Sequence, residues 1–140
     1  MSLYVVDASA AIKWILPEPG WNDALRLQDP SHEQHAPAFL SLEIANVLWK
    51  SVRLGRMTRE ESDARLAEVP AWPVTWHEDA ALLGRAFDLA HATDRSVYDC
   101  VYLALAAELG GQMVTADERL VNSLSGTPHA RLVLLLRDVP

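Results

Sequence analysis

Four acidic side chains stand where a strand-like run gives way to a helix-like one, or in the first turns of such a helix. They are Asp7 after LYVV, Glu43 in FLSLEIANVLWK, Asp99 in SVYDCVYLALA and Asp117 after QMVTA. In an open α/β sheet, functional groups collect outside the carboxyl ends of the strands. Carboxylates gathered there repel one another unless something cationic lies among them. An oxygen-only donor set suits a hard divalent ion, and Mg²⁺ commonly takes a few carboxylates while keeping several waters. No histidine or thiolate is needed for that chemistry, which argues against zinc.

Each acid also has a structural explanation. Asp7 and Asp117 can cap the helices that follow them. Glu43 lies near the start of its helix, where negative charge favours the macrodipole. Ser96 and Asp99 have capping-box spacing. Taken singly, these explanations are the better ones. Taken together, four acids at strand-to-helix junctions shift the balance towards a shared metal site.

The elements that must position them follow from periodicity and punctuation. Leu3–Val6 reads as a central strand buried on both faces. Ala8–Leu16 follows as a helix, ended by Pro17-Glu18-Pro19-Gly20, and Trp21–Leu27 as a second, short one. HEQHAPAF offers at most a brief strand. Phe39–Leu54 is a long helix with Leu42, Ala45, Leu48, Trp49 and Val52 along one face, and Gly55 ends it. Thr58 and Glu61 open a helix running to about Val69. A short strand at Val74–Trp76 precedes helices at His77–Ala92 and Ser96–Leu109. Met113–Thr115 is a strand, Glu118–Leu124 a short helix, and Leu132–Leu136 a last strand at an edge. Strands alternating with helices imply a three-layer α/β/α domain around a parallel sheet of about four or five strands.

Composition bounds the class. A chain of 140 residues, 50 % hydrophobic and 22 % charged, fits one globular domain spanning 1–140. The single cysteine, Cys100, excludes an internal disulfide framework and zinc-type spacing. Asp7 and Lys13 interrupt the apolar N-terminus well short of a membrane span, and no signal-peptide pattern precedes them. The reading is a cytoplasmic protein with no membrane partner. A net charge of −7 is not the usual footprint of a nucleic-acid binder.

The strings VVDASAAIKW, LEIANVLWK, SVYDCVYLALA and MVTADERL resemble the four motifs of PIN-domain nucleases. They look most like the short toxins of VapBC toxin–antitoxin pairs, over nearly the whole chain and in family order. The resemblance implies that Asp7, Glu43, Asp99 and Asp117 are the acidic catalytic and metal-binding residues, with Asp7 and Asp99 the foremost direct ligands. Ser9 matches the small hydroxyl position after the first acid, Thr115 the hydroxyl two before the last, and Asn46 a recurrent polar position. It further implies a Mg²⁺- or Mn²⁺-dependent endoribonuclease, a VapB-type antitoxin, and a homodimer able to build larger toxin–antitoxin assemblies. Water on a divalent ion has a lowered pKa and attacks phosphorus more readily. One ion or two remains open at this level.

Lys50, Arg53, Arg56 and Arg59 fall three apart with no acid between the first and last. They read equally as a phosphate-positioning stripe or as a solvated helix end favoured by the macrodipole. Among the tryptophans, Trp14 and Trp49 suit packing, whereas Trp21, Trp72 and Trp76 flank prolines and turns and could line an exposed partner groove. His32 and His35 read as solvated loop residues, and Cys100 as core. Two rival functions stand beside the nuclease. One is another phosphoryl-transfer protein with Asp7 or Asp117 as phospho-acceptor, although DAS lacks a second acid two residues on. The other is a metal-free binding module with the acids as helix caps.

Overall fold

The computed structural model describes residues 2–140. Five strands, β1 (Ser2–Val6), β2 (His32–Pro37), β3 (Thr75–His77), β4 (Gln112–Thr115) and β5 (Val133–Leu135), form one sheet in the order β3-β2-β1-β4-β5. Every pairing is parallel. β1 therefore lies in the middle, with Val5 and Val6 fully buried. The chain moves outward from β1 through β2 to β3, then returns to the other side of β1 as β4. That reversal makes the gap beyond the carboxyl ends of β1 and β4 the topological switch point, where open α/β sheets place their sites.

Seven α-helices cover the sheet: α1 (Ala8–Ala11), α2 (Trp21–Arg26), α3 (Phe39–Arg53), α4 (Arg59–Glu68), α5 (Leu83–Thr93), α6 (Val97–Leu109) and α7 (Glu118–Leu124). The result is the three-layer arrangement expected from the alternation of elements. α6 is the core helix, with Cys100 to Ala106 buried without interruption. It ends at Gly110, whose φ of 72° suits glycine. At Gly111 a Cβ would stand 2.5 Å from the carbonyl oxygen of Leu3, so only glycine lets the chain pass this close to β1.

Several local expectations need correction. The helix after Asp7 is α-helical only through Ala11 and continues as a 3₁₀ turn at Ile12–Trp14, where β-branched Ile12 and Ile15 approach Pro17. The segment expected to give at most a brief strand is the six-residue β2. Gln34 and His35 are buried rather than solvated, and the Gln34 amide donates to the carbonyl of Leu27. His35 is buried, 2.8 Å from His77 and 2.6 Å from Glu33. His77 belongs to β3, and the following helix is a 3₁₀ turn at Asp79–Leu82 leading into α5.

The buried face of α3 is Leu40, Ile44 and Leu48; Leu42 and Trp49 are exposed at 67 % and 57 %. The buried face is turned by roughly 100° from the expected one and shares only Leu48 with it, because the helix carries apolar residues on both sides. Trp72, expected near the surface, is buried edge-on against Trp14 with ring centroids 5.1 Å apart. Among the described residues, no helix is long and apolar enough to cross a membrane.

Candidate active site

Asp7 is the first residue beyond β1, in extended backbone, and its amide donates to the Val114 carbonyl of β4 at 3.2 Å. Its side chain turns back over α1 and caps it, accepting from the Ala10 amide at 3.0 Å. The same oxygen, Oδ1, accepts from Ser9 Oγ at 2.7 Å, and Oδ2 accepts from Thr115 Oγ1 at 2.6 Å. Ser9 Oγ in turn accepts from the Ala116 amide at 2.9 Å, and Thr115 Oγ1 from the Asp117 amide at 3.1 Å. Both hydroxyl protons are thus directed at one carboxylate, so the 3.2 Å between the two hydroxyls is proximity. The ends of β1 and β4 and the starts of α1 and α7 are knotted around Asp7.

Burial pushes the Asp7 carboxyl up to about 6, and the charge of Glu43 adds to the rise; the hydrogen bonds from Thr115, Ser9 and Ala10 oppose it. Glu43 projects from the second turn of α3 and caps nothing. Its Oε1 accepts from the Tyr102 hydroxyl at 2.5 Å. Burial also raises the Glu43 carboxyl, with the charge of Asp99 adding and the Tyr102 bond opposing. Tyr102 is itself pushed far up by burial and by Glu43, so it stays a protonated donor.

Asp99 lies in the first turn of α6, behind the Ser96 cap, whose hydroxyl accepts from the Asp99 amide at 3.2 Å. Asp117 caps α7, accepting from the amides of Arg119 and Leu120 at 3.0 and 3.3 Å. Between these two acids stands Arg95, its Nη2 3.2 Å from Asp99 and 3.8 Å from Asp117. Arg95 Nε is buried and has no partner among the described residues. The sheet edge therefore has two linked halves. The charge of Glu43 raises the Asp7 carboxyl and that of Asp99 raises Glu43, while Arg95 lies between Asp99 and Asp117 at the other end.

The structure brings Asp7, Glu43, Asp99, Asp117, Ser9 and Thr115 to this edge. Among the described residues, no three acids, histidines or cysteines converge closely enough to enclose a metal ion. Asn46 is exposed one turn beyond Glu43. Lys50 and Arg53 lie in the last turn of α3, roughly 10 and 15 Å of helix rise beyond Glu43. Arg53 lies over the Trp49 ring at 5.4 Å, and Arg59, at the start of α4, pairs with Asp63 at 2.8 Å. Arg53 and Arg59 flank an open apolar cavity of about 490 Å³ between α3 and α4, lined by Leu48, Trp49, Val52 and Leu66.

Tyr102 and Arg95 escaped the sequence reading. For Tyr102 the available signal was spacing on one helix face, since it follows Asp99 by three residues on α6. Arg95 lies before the Ser96 cap, outside the helix, and helical spacing does not reveal it.

The PIN domain family matches residues 4–123. Ribonuclease VapC3 of Pyrobaculum aerophilum is 36 % identical over 120 residues, covering 83 % of this chain and 90 % of that protein. A crystal structure from the same organism superposes with a TM-score of 0.67 at 26 % identity, covering 90 % of this chain and 82 % of the other. A toxin–antitoxin complex from Klebsiella pneumoniae gives a TM-score of 0.62 at 15 % identity, over 97 % and 98 %, and supports the fold. With its motif acids at one sheet edge and VapC ribonucleases among its relatives, this chain belongs to the PIN-domain family.

Proposed function

We propose that this chain is a divalent-metal-dependent endoribonuclease and the toxin of a toxin–antitoxin pair. The observation that carries the reading is the Asp7 carboxylate, buried at the switch point and facing Glu43 without a cation of its own. A cap needs no burial, and Glu43 caps nothing. The donor set of carboxylates and hydroxyls, with no thiolate or imidazole among them, fits Mg²⁺ or Mn²⁺. Asp7, Glu43, Asp99 and Asp117 would hold the ion. The side chains of Asp99 and Asp117 are 35 % and 43 % exposed, and both would have to give up contacts with Arg95 to turn towards the ion.

A divalent ion bound there lowers the pKa of water and offsets charge building on a phosphate. The chain's own residues do the rest. Ser9 and Thr115 fix both oxygens of Asp7, so its orientation needs no reorganisation during reaction. Tyr102 holds Glu43. Arg95, once its carboxylates turn towards an ion, presents a fork of donors to phosphate oxygens. Unpaired or loop RNA is the fitting substrate, because its backbone can be drawn into a recessed site.

The reading extends to a VapB-type antitoxin, an apolar segment of which suits the α3–α4 cavity, to a homodimer, and to action in the cytoplasm. The capping bonds of Asp7 and Asp117 keep one rival in view, a metal-free binding module. Thermal melts with Mn²⁺ against chelator separate the two. The nuclease reading expects stabilisation by the ion, lost in Asp99→Asn; the binding module expects none.

A further inference from the structure

Beside the acids, three aromatic rings run from the buried carboxylates to solvent. Tyr102, bonded to Glu43, lies 6.5 Å from the Phe39 ring at an angle of 58°. Phe39 in turn stacks on Tyr98, with centroids 5.2 Å apart and planes 10° from parallel. Tyr98 precedes Asp99 directly on α6 and is 64 % exposed. A tyrosine packed flat against one partner and open on its outer side offers a ready-made stacking face.

The inner ring is held firmly. The Phe39 amide donates to Asp79 at 3.0 Å, and the preceding amide of Ala38 donates to the carbonyl of His77 at 2.7 Å. The start of α3 is therefore tied to the end of β3, and the stacked pair has little freedom to lose on binding. The charge of the chain points the same way. A protein of net charge −7 gains little from phosphate neutralisation. Base stacking needs no positive charge and tolerates any sequence, because every base has a π-face.

We propose that Tyr98, backed by Phe39, is a stacking subsite for one unpaired nucleobase of RNA next to the cleaved phosphodiester. The subsite rests on the nuclease reading and adds to it the requirement that the base beside the cut be unpaired. Tyr98 positions the strand and takes no part in proton transfer.

The test measures binding in chelator, so it does not depend on cleavage. The probes are an unstructured oligouridylate carrying a single fluorescent aminopurine and the same strand in a duplex. Wild-type protein should bind the single strand in preference and quench the aminopurine. Tyr98→Ala should bind about tenfold or more weakly and lose the quench, while Tyr98→Phe should retain both. In cleavage assays Tyr98→Ala should raise KM more than it lowers kcat. Equal binding and quenching by wild type and Tyr98→Ala would overturn the subsite and leave the nuclease reading standing. Failure of wild type to bind or cut any RNA would overturn both. Loss of dimer or antitoxin binding in Tyr98→Ala, with RNA binding intact, would also overturn it by assigning the platform to a protein partner.

Discussion

Replacing Asp7 by asparagine should make the metal-free protein more stable at neutral pH, even though it removes a central residue of the site. The Asp7 carboxyl titrates at about 6 in the fold against 3.8 without it. A difference of about two units, at roughly 1.4 kcal/mol each, means that ionised Asp7 opposes folding by about 3 kcal/mol. The sign follows from an acid whose folded pKa is raised. Below pH 3.8 both states are protonated and no penalty exists; it grows as pH rises and is complete above the folded pKa. Asparagine never ionises, but its amide nitrogen must face one hydroxyl that now donates to a carboxylate, at a cost of about 1 kcal/mol. Asp7→Asn should therefore be more stable than wild type by about 2 kcal/mol at pH 8 in chelator, with the advantage gone near pH 4. Urea denaturation at several pH values reads this directly. Adding Mn²⁺ should reverse the order, because a ligand that binds only the folded state stabilises wild type by mass action and has lost a ligand in the variant. A variant less stable than wild type at every pH in chelator would refute the claim that Asp7 is a buried charge awaiting a cation.

Tyr102→Phe removes the donor that holds Glu43 and lowers its pKa. RNA cleavage should fall about 10- to 100-fold, as for other groups that orient a ligand, with the acid limb of the pH–rate profile moved upward. Arg95→Ala leaves Asp99 and Asp117 facing each other without their shared cation. It should lose roughly 0.5–1 kcal/mol of stability in chelator, and Mn²⁺ titration should recover most of the loss. Gly111→Ala drives a methyl against the Leu3 backbone. It should destabilise by roughly 1–3 kcal/mol or more in chemical denaturation, while the metal response per folded molecule stays the same.

The sequence carried the acids because capping and catalysis both demand oxygen side chains at strand-to-helix junctions, so position alone drew attention to Asp7, Asp99 and Asp117. Glu43 drew attention in the same way, from its place near the start of a helix, and the motif that contains it then supplied its role. What could not be read were the contacts that join distant segments. Thr115 meets Asp7 across 108 positions of chain, and Tyr102 meets Glu43 across 59. β2 was hidden because Glu33, Gln34 and His35 look like a loop until their partners on β3 and after α2 are in place. Leu42 and Trp49 give α3 a second, exposed apolar side, and a helix with apolar residues on two sides does not declare which one it buries.

The central claim is that these carboxylates act together through a divalent ion to cut RNA. Its most direct test is cleavage of a mixed structured RNA by antitoxin-free protein, in Mn²⁺, Mg²⁺ or chelator, beside Asp99→Asn of matched stability. The account predicts cutting at unpaired positions that requires the ion and disappears in the variant. Cutting that persists in chelator or in Asp99→Asn, or no cutting by folded protein shown free of any bound partner, would contradict it.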